Sequence, residues 1–365
     1  MSSKPRHLFV DISSHGFGHL AQVAPVLNEL ATLLAGLRLT VRSGLPLEKL
    51  RARIAGDFAY LAGRSDFGFI MLDALRIDSA ASAAAYRAQH ADWPRVVTDE
   101  SHELSRLQPD LVLTDVAYLP LAAAAHLRIP SLAMCSLNWA ELFAHFFGGE
   151  AWAGKIHAEM LAAYRSTECF LRLTPGMAMA DLPRACVIAP VAALGKDCRA
   201  ALRARLACPP GEKLVLIAFG GIDQQLPVDH WPREHGLRWL VPASWGLART
   251  DMTAFETLAL PFADLLRNVD AVLTKPGYGT FTEAACNGTP VLYLRRNDGW
   301  PEQDDLIDWL KVHARCGEID ASALLSARLP AALADLWRQT APPAPRPDGA
   351  VQAATLIAER LTCRN

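Results

Sequence analysis

The chain lacks several things that would each have named a class. Its 8 cysteines include no CxxC pair and no short cysteine–histidine ligand spacing, which argues against a structural zinc or a disulfide scaffold. Most of the cysteines read as small buried hydrophobes in a reducing compartment. No apolar run approaches the roughly 18 to 20 residues a bilayer span requires. The segment MSSKPRHLFVDI passes directly into a strand pattern, so a cytoplasmic protein without a transmembrane segment is expected. Charge of one sign is missing too: 36 basic residues stand against 38 acidic ones, a net charge of -2, so no nucleic-acid partner is expected. Peripheral membrane contact through a few loop aromatics stays open, because it leaves no sequence-wide mark. There is no short-period repeat and no low-complexity tail.

What is present is an ordinary globular composition, 51% hydrophobic and 20% charged, over 365 residues. That length exceeds one comfortable core and points to two domains. The first half opens with a strand from His7 to Ile12, a loop Ser13-Ser14-His15-Gly16-Phe17-Gly18, a helix from about His19 to Leu34 and a strand from Leu37 to Arg42. This is one βαβ unit and implies a parallel pair. A buried strand from Pro109 to Asp115 follows, then an alanine-rich helix and a strand from Ser131 to Cys135. After the turn-rich Cys208-Pro209-Pro210-Gly211 the pattern restarts with Lys213 to Phe219, which ends in Gly220-Gly221. Further strands are expected at Leu237 to Val241, Ala271 to Thr274 and Val291 to Leu294. The reading is therefore α/β, with two Rossmann-like doubly wound domains. They span 1–195 and 196–348, with a last helix in 349–365 expected to return to the first domain. Ligands of such sheets bind beyond the carboxyl ends of the strands, and an interdomain cleft is expected there.

The most informative stretch is VLTKPGYGTFTEAACNGTPVLYLRRNDGWPEQDD, from Val272 to Asp305. A buried strand feeds a glycine turn (Lys275-Pro276-Gly277-Tyr278-Gly279), and a helix is expected to begin near Thr280. The first backbone N–H groups of a helix have no intrahelical partner, and the dipole favours an anion there. Glu283, one turn on, could hold vicinal hydroxyls, so phosphate plus diol suggests a nucleotide. The rival reading is a capping box, in which Thr280 and Glu283 close the helix end and bind nothing. A polar loop after the next strand, with Arg295, Glu302 and Gln303, favours the ligand reading.

These segments together resemble the GT-B glycosyltransferases, metal-independent enzymes built of two Rossmann domains. Within that fold the chain is similar to the glycosyltransferase-like domain of L-arabinokinases and its stand-alone bacterial relatives. Ser14-His15-Gly16-Phe17-Gly18-His19 resembles a GHGxGH loop, with Ser14 in place of the first glycine. Leu113-Thr114-Asp115 and Ser136-Leu137-Asn138-Trp139 resemble SD and SNxxW stretches. Phe219-Gly220-Gly221 and the Lys275 to Thr280 segment resemble FGG and KxGYGT. The resemblance implies an acceptor-binding first domain and a donor-binding second one. Gly18, Gly220, Gly221, Lys275, Gly277, Tyr278, Gly279, Thr280, Glu283 and Arg295 would face the donor nucleotide. Glu302 and Gln303 would hold the donor sugar, and Asn138 and Trp139 would line the acceptor side. His19 or His15 would be the general base, with Asp115 as orienter. Gln22 stands where arginine is common among these relatives and cannot supply charge to a phosphate.

The implied activity is inverting transfer of a hexosyl or pentosyl group from a nucleotide-sugar, a UDP-sugar first, to a small-molecule or lipid acceptor. The nucleotide-sugar is a co-substrate, and no resident cofactor or metal is expected. Two alternatives remain open on the sequence: a nucleotide-sugar hydrolase or epimerase on the same fold, and a non-catalytic nucleotide-sugar-binding protein.

Overall fold

The computed structural model describes residues 5–220, 226–246 and 249–362. By internal contacts the chain divides into two compact units. The first comprises 1–72, 77–191 and 348–365, and the second 73–76 and 192–347.

In the first unit β1 (His7–Ile12) leads into α1 (Phe17–Leu33), β2 (Arg38–Ser43), α2 (Leu47–Arg51) and β3 (Ala59–Ala62). Two short strands, β4 (Met71–Asp73) and β5 (Arg76–Ile77), pair with each other. Then come α3 (Ser79–Gln89), α4 (Trp93–Leu107), β6 (Leu111–Thr114), α5 (Leu119–Leu127), β7 (Ser131–Cys135), α6 (Trp139–Phe147), α7 (Ala153–Arg165), β8 (Cys169–Leu173) and β9 (Ala185–Ile188). The sheet order is β3-β2-β1-β6-β7-β8-β9, and its neighbouring strands are parallel. Strands β1, β6 and β7 are buried at every position, as expected where helices cover both faces of a parallel sheet. Each aliphatic side chain buried in this way contributes roughly 1.5–3 kcal/mol. Asp92 caps α4 by accepting from the Arg95 amide, and Pro94 sits in its first turn. The helical pattern from Ala80 to Arg106, interrupted in sequence at Trp93-Pro94, accordingly forms two helices, because proline starts a helix better than it continues one.

The second unit runs α8 (Arg199–Arg205), β10 (Lys213–Ala218), β11 (Leu237–Val241), β12 (Met252–Ala254), α9 (Phe262–Asn268), β13 (Ala271–Thr274), α10 (Tyr278–Asn287), β14 (Val291–Tyr293), α11 (Glu302–His313), β15 (Cys316–Glu318) and α12 (Arg328–Arg338). Its sheet, β12-β11-β10-β13-β14-β15, is parallel as well. Trp231 and Trp239 meet edge to face at 5.0 Å in its core. The final helix, α13 (Gly349–Thr362), packs against α1 of the first unit.

Two helices begin earlier than their sequence pattern suggests. The first helix starts at Phe17 rather than near His19, and α10 starts at Tyr278 rather than near Thr280. Gly16 and Gly277 occupy the caps, and neither helix has a side-chain cap. The capping-box reading of Thr280 and Glu283 therefore fails, because Thr280 lies in the third helical position and Glu283 in the sixth. Edge strands β3, β9, β12 and β15 carry too few apolar residues to announce themselves in sequence. Among the described residues no helix is long and apolar enough to cross a membrane.

Candidate functional site

Each sheet has one place where strand order reverses direction, between β1 and β6 in the first and between β10 and β13 in the second. The loops leaving such a pair diverge to opposite faces, and the gap beyond the strand ends is where open α/β sheets bind ligands.

At the first reversal, the loop after β1 delivers His19 in the opening turn of α1, and β6 ends at Asp115. His19 Nδ1 lies 2.6 Å from Asp115 Oδ2, with the histidine 6% exposed and the aspartate 0%. The approach is an ion-pair contact rather than a well-directed hydrogen bond, since neither atom completes one. The other carboxylate oxygen, Oδ1, accepts from the Ser13 and Val116 amides at 3.0 and 2.8 Å. Asp115 is thereby fixed by backbone. Burial works against charge on His19, but the Asp115 carboxylate and, behind it, the Cys135 thiol outweigh it and hold the imidazole well above its usual pKa. With Nδ1 committed to Asp115, Nε2 is the nitrogen left for an incoming proton.

His15 is differently employed. Its Nε2 donates to the Phe69 carbonyl at 3.0 Å, and its ring meets Trp139 edge-on at 5.3 Å. The ring centroids of His15 and His19 are 6.4 Å apart. Gly18 sits in the first turn of α1, with open space where a side chain would stand.

At the second reversal a lysine stands beside the start of a helix. Thr274 Oγ1 donates to the Ala218 carbonyl at 2.5 Å and ties the ends of β13 and β10 together. Gly220, at φ 84°, turns the chain beyond β10 in a conformation that favours glycine. Lys275 reaches over both glycines: a Cβ at Gly220 would lie 4.0 Å from its Cε, and one at Gly277 3.9 Å from its Nζ. The ammonium makes no hydrogen bond or ion pair to the described residues. Burial, then the Arg296 guanidinium, lower its pKa to about 8, against the pull of Glu302 and Asp298. Directly after it α10 begins at Tyr278, behind Gly277 and with no side-chain cap. A cation beside a helix N-terminus can bind a phosphate.

Solved structures with this arrangement of two parallel sheets are numerous. The glycotransferase of kitacinnamycin matches 99% of this chain and 96% of its own, with a TM-score of 0.59 at 16% identity. The calicheamicin glycosyltransferase CalG4 gives 0.58 at 14% identity over 99% and 95% of the two chains. A UDP-glucosyltransferase from Polygonum tinctorium gives 0.55 at 14% identity over 99% of each. The fold is GT-B. In sequence, the chain is 26% identical over 345 residues to L-arabinokinase of Arabidopsis thaliana, covering 87% of this chain but 31% of that protein. It thus spans about a third of the length of the curated relative it matches. No protein-family model matches the chain.

Most of the other predicted residues are engaged by neighbours within the fold. Asn138 caps α6 through Oδ1, accepting from the Glu141 amide at 2.9 Å, while its Nδ2 is buried without a partner. Trp139 is 0% exposed, so it forms an inner wall and not a face on which an acceptor ring could stack. Gln22 exchanges hydrogen bonds with Ser136, at 3.3 Å to its hydroxyl and 3.2 Å from its amide, and clamps α1 to the end of β7. Glu283 is 1% exposed in the middle of α10. Arg295 is held at the surface by Asp304 and Glu318, whereas Arg296 pairs with Asp298 at 2.6 Å and lies 4.3 Å over the Trp300 ring. Gln303 spends both ends of its amide on the Arg296 backbone. Glu302 accepts from the Trp300 indole at 3.2 Å. Gly221 lies outside the described residues.

Sequence reasoning missed one segment altogether. Ser65-Asp66-Phe67-Gly68-Phe69 runs along the base of the His19 site. Ser65 donates to Asp11 at 2.9 Å, and Asp66 accepts from the Ser13 hydroxyl at 3.1 Å and the Trp139 indole at 2.7 Å. Its only sequence signal was an acid and a glycine among aromatics in a region without clear periodicity.

Proposed function

We propose that the protein is an inverting glycosyltransferase that moves a sugar from a nucleotide-sugar, a UDP-sugar first, to an acceptor hydroxyl without a metal. The observation that carries this reading is the His19–Asp115 pair at the first strand reversal. An imidazole whose Nδ1 is fixed on a carboxylate is the arrangement a general base requires. His19 Nε2 takes the acceptor proton, the acceptor oxygen forms a bond to the anomeric carbon, and the bond from that carbon to the diphosphate oxygen breaks. The departing diphosphate gains negative charge, which Lys275 and the first turn of α10 offset without reorganising. Support for the donor comes from the fold neighbours, one of which is named as a UDP-glucosyltransferase.

His19 acts as a base only when neutral, and its pKa is held above the ordinary value. Transfer should therefore speed up as pH rises through that elevated pKa. The test is incubation of the pure protein with UDP-sugars and a panel of hydroxyl acceptors, with glycosylated product followed by mass spectrometry. Rapid release of free sugar with no acceptor would replace transfer by hydrolysis. Donor binding without turnover of any kind would leave a nucleotide-sugar-binding protein.

A further inference from the structure

Among the described residues the first unit buries four acids. Asp11 is 1% exposed, Asp66 7%, Asp115 0% and Glu100 8%. Arg42 serves two of them, reaching Asp11 at 2.5 Å and Glu100 at 2.5 and 3.1 Å. His19 serves Asp115. Among the described residues Asp66 pairs with no cation, and its oxygens accept from neutral donors, the Ser13 hydroxyl and the Trp139 indole. Buried carboxylates without a cation are costly to charge.

We propose that Asp66 is a positioning residue of the acceptor-activating site, holding Trp139 and Ser13 in place and setting, through its charge, the proton affinity of the His19–Asp115 pair. The inference rests on the reading of His19 as the base. Geometry supports the positioning half. The Trp139 ring that Asp66 anchors is a neighbour of both histidines, at 5.3 Å from His15 and 5.9 Å from His19. The Ser13 residue that Asp66 fixes also gives its amide to Asp115 and accepts the His15 amide at its hydroxyl. One carboxylate thus touches two of the groups that frame His19.

Electrostatics supports the charge half. Burial first, then the negative charges of Asp115 and Asp11, push the Asp66 carboxyl up to about 7, against the Trp139 hydrogen bond and the His19 charge. Arg42 is already engaged by Asp11 and Glu100. Tyr86, Tyr118 and Tyr164 are held protonated by burial, and burial likewise raises the Cys135 thiol. His19 is accordingly the titrating cation that responds to Asp66. When Asp66 ionises, a further negative charge favours the imidazolium, so the base needs a higher pH to become neutral.

The test is a histidine-ring NMR titration of the full-length protein without substrates, with the His19 signal assigned by its loss in His19→Gln. In Asp66→Asn, which keeps a hydrogen-bonding group of the same shape, the His19 midpoint should fall by about one pH unit, the scale of a lost neighbouring charge. The wild-type His19 signal should also show a second, smaller inflection near pH 7 as Asp66 ionises, a readout that survives if the variant does not fold. An unchanged His19 midpoint in folded Asp66→Asn, or a wild-type titration with a single step, overturns the proposal. Failure of sugar transfer would overturn the glycosyltransferase reading and leave these titrations unaffected, so the two can fail separately.

Discussion

The two strand reversals have the same backbone design and use their polar groups in opposite ways. Both open a helix behind a glycine cap with no side chain closing it, α1 behind Gly16 and α10 behind Gly277. At the first, the side chains are spent on one another: His19 on Asp115, Asp66 on Ser13 and Trp139, Arg42 on Asp11 and Glu100. At the second, Lys275 makes no hydrogen bond or ion pair to the described residues, and α10 begins without a side-chain cap. A buried, mutually paired cluster fixes protonation states, which a base needs. A cation without an ion pair, beside the start of a helix, suits a charged partner such as a phosphate. Under the proposed function, the same fold element serves proton chemistry in one unit and anion binding in the other.

That contrast is tested most severely at His19. In His19→Ala, transfer should fall by roughly 10²- to 10⁴-fold, the usual scale of general-base catalysis. UDP binding, followed by calorimetry, should be unchanged. Parallel loss of both would end the division of labour. Next in size is Lys275→Ala, expected to weaken UDP binding by roughly 10- to 100-fold, the worth of one charge-assisted hydrogen bond. Because Lys275 is charged below its pKa of about 8 and neutral above it, UDP affinity of the wild-type protein should decline as pH rises past that value. The variant should lose this dependence, and affinity flat from pH 7 to 9 in both proteins would remove Lys275 from the anion site.

Smaller effects sharpen the same comparison. Gly68, at φ 58°, leaves no room for a methyl group, which would stand 2.7 Å from Trp139 Cζ2 and 3.0 Å from His15 Cδ2. Gly68→Ala should cost about 2 kcal/mol of stability in denaturant unfolding, from strain and overpacking together. It should disturb transfer more than UDP binding, since the crowding lies wholly at the first reversal. Smallest of all should be Arg295→Ala. Its surface pairing with Asp304 and Glu318 is worth no more than about 1 kcal/mol, and UDP affinity should stay within about twofold. A loss as large as that of Lys275→Ala would show that Arg295 leaves its surface partners to bind the donor.

Much of the architecture was legible because parallel strands buried on both faces read as continuous apolar runs. The strands at His7, Ser131, Lys213 and Ala271 lie within about two residues of where their pattern placed them. Helix starts were less legible, since Phe17 and Tyr278 begin helices from glycine caps that offer no capping side chain to recognise. Polar residues near the right loops were easy to nominate. Their employment was not legible, because Arg295, Gln303, Asn138 and Gln22 are occupied by partners that depend on packing. Asp66 escaped notice for a related reason: its partners, Ser13 and Trp139, lie 53 and 73 residues away in sequence.

The sequence by itself determined two parallel α/β sheets, the strand–glycine–helix turn from Val272 to Asn287, and the histidines after the first strand. These follow from local periodicity and local backbone freedom, which act over a few residues. Only the tertiary structure decided that His19 rather than His15 rests on Asp115, that among the described residues Lys275 has no ion pair while the neighbouring arginines are paired, and that Asp66 accepts from neutral donors near the histidine. Those outcomes depend on which distant side chains share a buried volume. Burial makes every such pairing consequential, because a charge removed from water must find its partner within a few ångströms.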